Sequence, residues 1–495
     1  MTVNHRPAYH FLPERDWMND PNGLIQWQGQ THLFYQYTPG SALSGVKYWG
    51  HAVSTDLVHW QHWPVAIAPT PGGPDAGGIW SGCAVDNNGV PTAIYTGVDP
   101  QVVCLASSTD GLRTWQKHPA NPVIAGPPPA LAEGYQNQFR DPYVWREGGD
   151  WHLVIACMRA GGGGMILRYR SADLAQWAYV GVLLAGDPQQ TEPFPSGTMW
   201  ECPNYFALDG WRVLLYSAYS EIERKQYPVY YAASHGASPR RPPSPDRERQ
   251  GRGQERGERS GALHYPQTEM LPDQPFSIGA QGILAHGPAF YAPHGRRLDD
   301  GRMVIWGWLK ETRPDTAQVA EGWSGSLSLP LVLTWRPTET GGALSVAPAE
   351  ELKALRGQHW HVEGGGLAPG AIHGDCLEIE AVLESGGGLR LRASPDGAEH
   401  TDITYNAERQ QVTVDTRAAS LDPAVERGIY TLPASPDTGG QARLRIFLDR
   451  SALEVFTPEG NYMAARIYPT REDSLGAEAM GRLAALEAWA VQSIW

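Results

Sequence analysis

Ser54-Thr-Asp56-Leu57-Val-His-Trp60, Ser108-Thr-Asp110-Gly-Leu112-Arg-Thr-Trp115 and Ser171-Ala-Asp173-Leu174-Ala-Gln-Trp177 are three versions of one phrase. Each follows a short run of strand-forming residues, and their starts lie 54 and 63 residues apart. Ser and Asp are ordinary turn residues, so a single S-x-D turn carries little information. Recurrence at this period, with alternating apolar runs and Gly, Pro and Asp turns between, predicts four-stranded sheets repeated about an axis, a β-propeller. A further step of 63 residues lands on Ser234, after the strand-like Pro228-Val-Tyr-Tyr-Ala-Ala233.

The fourth copy then loses its Asp-Leu-Trp part. From Ala237 to Gly261 the chain is Arg, Glu, Gln, Pro and Gly with almost no apolar residue, too little to offset the entropy of ordering it, so residues 237–261 are expected to be a mobile insertion. After about Pro337 the texture changes again. Glu350-Glu-Leu-Lys-Ala-Leu-Arg356 predicts a short helix, and alternating runs such as Leu377-Glu-Ile-Glu-Ala-Val382 and Ala442-Arg-Leu-Arg-Ile-Phe447 predict a second all-β unit, a sandwich. The expected organisation is a propeller over 1–337, a linker with a short helix over 338–360 and a β-sandwich over 361–495.

A chain of 495 residues exceeds what one hydrophobic core usually fills, which fits two packed domains. The net charge of −14 argues against a polyanionic partner such as nucleic acid, whose phosphates need clustered Lys and Arg. No charged leader followed by an apolar core opens the chain, and no apolar run reaches membrane-spanning length, so a cytoplasmic protein without a membrane partner is expected. Five scattered cysteines without C-x-x-C spacing argue against a disulfide framework or a zinc site, and no metal or organic cofactor is expected. The aromatic set is skewed, with 19 Trp and 21 Tyr against 9 Phe. Rings with polar edges suit the faces of sugars, although aromatic residues also favour strands.

Three acids stand in unusual settings. Asp20 lies in Trp17-Met-Asn-Asp-Pro-Asn-Gly23, where Pro21 keeps it out of helical geometry and Asn22-Gly23 supplies a tight turn, placing the carboxylate at a strand end or in its turn. Asp141 has the same logic in Phe139-Arg-Asp-Pro-Tyr143, with Arg140 beside it to contact substrate oxygens or hold a carboxylate ionised. Glu201, in Met199-Trp-Glu-Cys-Pro-Asn204, is flanked by apolar residues that would raise its pKa, as a general acid requires. Any one of them could merely cap a turn. All three fall in the repeat region, whose inner strands converge on one mouth, and glycosidic cleavage needs two carboxyl groups flanking the bond.

With these residues in view the chain resembles the β-fructofuranosidases of glycoside hydrolase family 32, the invertases, inulinases and levanases. The resemblance runs through Trp17 to Gly23, Leu33 to Tyr37, Tyr48 to His51, Trp80 to Gly82, Phe139 to Pro142, Trp200 to Pro203, Phe290 to Pro293, Trp306 to Leu309, Gly322 to Gly325 and Asp449 to Phe456. It implies an all-β chain, a five-bladed propeller followed by a C-terminal β-sandwich. It also implies a retaining double displacement with Asp20 as nucleophile on C2 of the fructosyl unit, Glu201 as general acid and then base, and Asp141 as transition-state stabiliser. Such a pair sits ~5–5.5 Å apart. Asn19, Gln36, Trp49, Trp80, Ser81, Arg140 and Trp308 match positions that line the fructose pocket. The implied partners are sucrose and fructans, with oligomeric state left open. The chain departs from the family at Leu284-Ala285-His286-Gly287, where an Asp is usual, and at Leu329-Pro330-Leu331. A fructosyltransferase using the same intermediate and a non-catalytic fructan-binding protein are the alternative readings.

Overall fold

The computed structural model describes residues 3–132, 135–159, 162–220, 225–234, 276–339, 341–365, 367 and 370–495. Up to Pro348 the strands form five sheets. Their first strands are Asp16–Trp27, Ile79–Asp86, Tyr135–Glu147, Met199–Leu208 and Phe290–Arg297. Each packs on the next, and the last packs back on the first, which closes a ring of five blades. Parallel pairing of Asp16 with Trp323 and Trp17 with Ser324 draws the end of blade five onto blade one.

The repeated phrase turns out to be the connection between the third and fourth strands of blades one to three. In each copy the serine hydroxyl donates to the aspartate two residues on. The leucines Leu57, Leu112 and Leu174 all adopt left-handed backbone, with φ of 69°, 63° and 68°. Such a conformation costs a leucine about 1–2 kcal/mol. Burial of all three side chains, together with the serine and aspartate bonds to neighbouring amides, offsets that cost. Ser234 ends the third strand of blade four, Lys225–Ser234, at the equivalent place. The expected insertion at 237–261 lies outside the described residues.

Residues 356–491 build two six-stranded sheets around a core that includes Leu377, Ile379, Leu391, Val414, Leu444 and Ile446. Two sequence-based boundaries move. Ala343–Pro348 pairs along its length with Leu331–Arg336, so blade five extends into the stretch read as a linker, and the first sandwich strand begins at Arg356. The expected helix is present as a six-residue 3-10 helix, Glu350–Leu355. One apolar cluster contains Phe290, Trp306 and Leu344 of the propeller with Phe447, Phe456 and Tyr462 of the sandwich, so the two units share a core. His10, fully buried, ties the N-terminal segment to the sandwich through Asp449 (2.9 Å) and Glu454 (3.1 Å). No helix among the described residues is long and apolar enough to cross a membrane.

Candidate active site

Five short phrases occupy one level of the propeller: Met18-Asn19-Asp20-Pro21, Ile79-Trp80-Ser81-Gly82, Phe139-Arg140-Asp141-Pro142, Trp200-Glu201-Cys202-Pro203 and Phe290-Tyr291-Ala292-Pro293. In every first strand the register slips at this point, after Met18, Trp80, Arg140, Glu201 and Tyr291. Proline, which has no amide hydrogen for the ladder, supplies the slip in four of the five. Asp141, Cys202 and Ala292 consequently have φ of 66°, 48° and 49°. Asp20 therefore sits in a bulge inside a continuous strand, neither at the strand end nor in the turn that the sequence suggested. Gly23 (φ 53°) is the one residue the bulge admits there, since a Cβ would come within 2.8 Å of Phe34 and 2.9 Å of Trp49.

The bulges produce two rings of side chains around the axis. In the inner ring, Asp20 Oδ2 accepts hydrogen bonds from Ser81 (2.7 Å) and Gln36 (3.2 Å). The Cys202 thiol bridges Asp20 and Asp141, at 3.7 Å and 3.6 Å from their Oδ2 atoms, and its amide donates to Asp141 Oδ2 at 2.9 Å. The Asp141 amide donates to Thr96, whose hydroxyl donates to the Ser81 carbonyl. The outer ring holds Arg140, which donates to Glu201 Oε1 through Nη2 (2.7 Å) and Nε (3.2 Å). The same Nε lies 3.9 Å from Asp141 Oδ2, so one guanidinium serves two carboxylates. The Tyr291 hydroxyl donates to Glu201 Oε2 at 2.5 Å.

Burial dominates the electrostatics. It pushes the Asp20 carboxyl from 3.8 up to about 7, opposed by the Ser81 hydrogen bond and reinforced by the charges of Asp141 and Glu201. Burial likewise raises Asp141 to about 6, with Arg140 pulling the other way. Glu201 does not lie among apolar groups as its sequence neighbours suggested: Trp200 turns into the core, and the carboxylate meets a cation and a phenol.

Most of the expected residues converge. Gln36 and Ser81 bond to Asp20 and Arg140 to Glu201, Trp80 lies 5.8 Å from the Arg140 guanidinium, Trp308 packs beside Cys202 and Tyr291, and Asn19 precedes Asp20 in the bulge with its side-chain oxygen buried. Trp49 does not reach the pocket. It is wholly buried between Phe34 and Tyr95, and its indole N–H holds the Trp80 carbonyl at 3.1 Å. Tyr291, Cys202 and Thr96 were not singled out from sequence, although alignment of the five bulge phrases would have exposed the first two. Three buried polar atoms around the acids, Asn19 Oδ1, Gln36 Oε1 and Trp308 Nε1, find no partner within the described protein.

Three close carboxyl groups at the mouth of a five-bladed propeller offer the paired acids that glycosidic cleavage requires. Comparison with known proteins makes the class specific. The glycosyl hydrolases family 32 N-terminal domain matches residues 10–348 and the family 32 C-terminal domain residues 351–489, so the chain belongs to glycosyl hydrolases family 32 and is a glycoside hydrolase. It is 33% identical to a sucrose-6-phosphate hydrolase of Zymomonas mobilis, over 98% of this chain and 90% of that one. It is 33% identical to a raffinose invertase of Escherichia coli, over 94% and 89%. The fructan 1-exohydrolase IIa of Cichorium intybus superposes with a TM-score of 0.76 at 26% identity, over 99% of this chain and 98% of that one.

Proposed function

We propose that the protein is an exo-acting β-fructofuranosidase that releases terminal fructose from sucrose or β-fructans by double displacement. Asp20 attacks C2 of the fructosyl unit while Glu201 gives a proton to the leaving oxygen, forming a covalent fructosyl-enzyme. Glu201 then removes a proton from water, and the hydroxide displaces Asp20 with net retention. Asp141, with Arg140 at its side, holds fructose hydroxyls and favours the oxocarbenium-like state. Ser81 and Gln36 orient Asp20, and Asn19, Trp80 and Trp308 border the ring.

The observation that carries this reading is the pairing of two differently treated acids. Asp20 is enclosed and held by neutral donors, whereas Glu201 faces the mouth between Arg140 and Tyr291. The orphan atoms of Asn19, Gln36 and Trp308 support it, since sugar hydroxyls can satisfy all three. The printed names of relatives, which include invertase, levanase and sucrose-6-phosphate hydrolase, support the fructosyl donor. Five free cysteines fit a reducing, cytoplasmic setting.

Incubation with sucrose, sucrose 6-phosphate, inulin and levan, read by free fructose, tests the proposal. Free fructose from sucrose or a fructan is expected. Accumulation of longer oligosaccharides at high sucrose would assign a transferase instead, and absence of fructose with every substrate would remove the reading.

A further inference from the structure

Tyr291 supplies Glu201 with a hydrogen bond, so whatever steadies that phenol also bears on the acid. In blade five Phe290–Arg297 runs antiparallel to Met303–Leu309, with Phe290 opposite Leu309 and Tyr291 opposite Trp308. The Lys310 amide prolongs this ladder by donating to the Ala289 carbonyl at 2.9 Å. Side chains alternate along a strand, so Lys310 falls on the same face as Trp308 and Tyr291, diagonal to the phenol and within reach of it for a long side chain. Its ammonium stands 5.4 Å from the centre of the Tyr291 ring.

Gln226, on the third strand of blade four, holds the ammonium there: its Oε1 accepts from Lys310 Nζ at 2.7 Å. Burial lowers this ammonium from 10.5 to about 8, opposed by the charge of Glu426, a sandwich residue whose amide donates to the Thr312 carbonyl at 2.9 Å. A cation against a phenol ring is attracted to its face and polarises the hydroxyl into a stronger donor. As Glu201 passes its proton to the leaving oxygen its carboxyl gains negative charge, and the bond from Tyr291 becomes charge-assisted.

We propose that Lys310 is a positioning residue for acid catalysis: held by Gln226, its ammonium fixes and polarises Tyr291, which in turn stabilises the Glu201 carboxylate formed as the proton leaves. This deepens the fructosidase reading and rests on it. The role requires no contact between Lys310 and the sugar. It acts on proton donation alone, so its loss should show only where the leaving oxygen needs a proton.

The test compares kcat/KM, which reports formation of the fructosyl-enzyme, for sucrose and for p-nitrophenyl β-D-fructofuranoside, whose nitrophenolate departs without a proton. Lys310→Met removes the charge and keeps the length, and Gln226→Met releases the ammonium from its acceptor. With sucrose, Lys310→Met should lower kcat/KM about tenfold and Gln226→Met should act in the same direction; with the aryl fructoside both should stay within about twofold of wild type. Lys310→Arg keeps a cation that stacks on aromatic rings and should regain most of the sucrose rate. Equal losses on the two substrates, no loss on sucrose, or an Arg variant as slow on sucrose as the Met variant would overturn the proposal. If wild-type protein cleaves neither substrate, the fructosidase reading itself fails, a result distinct from any of these.

Discussion

Arg140→Gln is the substitution whose consequences the geometry fixes most fully. Arg140 is buried, donates twice to Glu201 Oε1 and stands 3.9 Å from Asp141 Oδ2. Removing one partner of a fully buried pair costs about 3–5 kcal/mol. The Glu201 side chain retains 23% exposure, so solvent reduces this to about 2–3 kcal/mol of folding stability. Activity is lost separately, because the acid loses a charge-assisted hydrogen bond worth about 1.5–3 kcal/mol, or roughly 10- to 150-fold in kcat/KM. Arg140 also opposes the burial that raises Asp141, so its loss moves Asp141 further up and shifts the acidic limb of the pH profile to higher pH. Arg140→Lys keeps the charge but not the paired geometry and should recover only part of the loss. Fructose release from sucrose across pH 4–9 measures both effects, with near-UV circular dichroism to verify the fold. An Arg140→Gln enzyme within threefold of wild type, with an unmoved acidic limb, would refute the coupling of the two carboxylates.

Three further outcomes follow from the same contacts. Tyr291→Phe loses the 2.5 Å bond to Glu201 and should lower kcat about tenfold or more with little change in KM, read by steady-state kinetics. Asp20 and Asp141 have pKa values of about 7 and 6, above their ordinary 3.8, so their ionisation opposes folding. That penalty is absent below pH ~4 and grows as pH rises to 6–7, so Asp20→Asn should raise the unfolding midpoint at pH 8 and leave it unchanged at pH 4. Burial opposes charge on His10, but its bonds to Asp449 and Glu454 raise it from 6.5 to about 9. Its contribution is full below pH ~6.5 and lost as pH rises through 9, so His10→Gln should flatten the decline of thermal stability over that interval.

The propeller was legible because its most regular element is a connection, not a strand. Ser-x-Asp phrases with a following leucine in left-handed backbone recur where the third strand hands over to the fourth in blades one to three. The acids were legible because proline after Asp20 and Asp141 marks the bulge that aims them. Spacing of the five bulge phrases carries the same information: 61 residues from Asp20 to Ser81, 60 to Asp141, 61 to Cys202 and 90 to Ala292, the last lengthened by the segment after Ser234. Less legible were features set by neighbours in space. Trp200 and Glu201 are adjacent in sequence yet face opposite ways, so the apolar flank of Glu201 said nothing of its own surroundings. Trp49 matched a pocket position by motif, but its strand turns it between blades.

Mass spectrometry of peptides from enzyme quenched during sucrose turnover, preferably in a variant that slows the hydrolytic step, bears most directly on the covalent role of Asp20. The mechanism predicts a fructosyl ester on the peptide spanning Trp17 to Gly23, located at Asp20. An adduct located at Glu201 or Asp141 instead would contradict it.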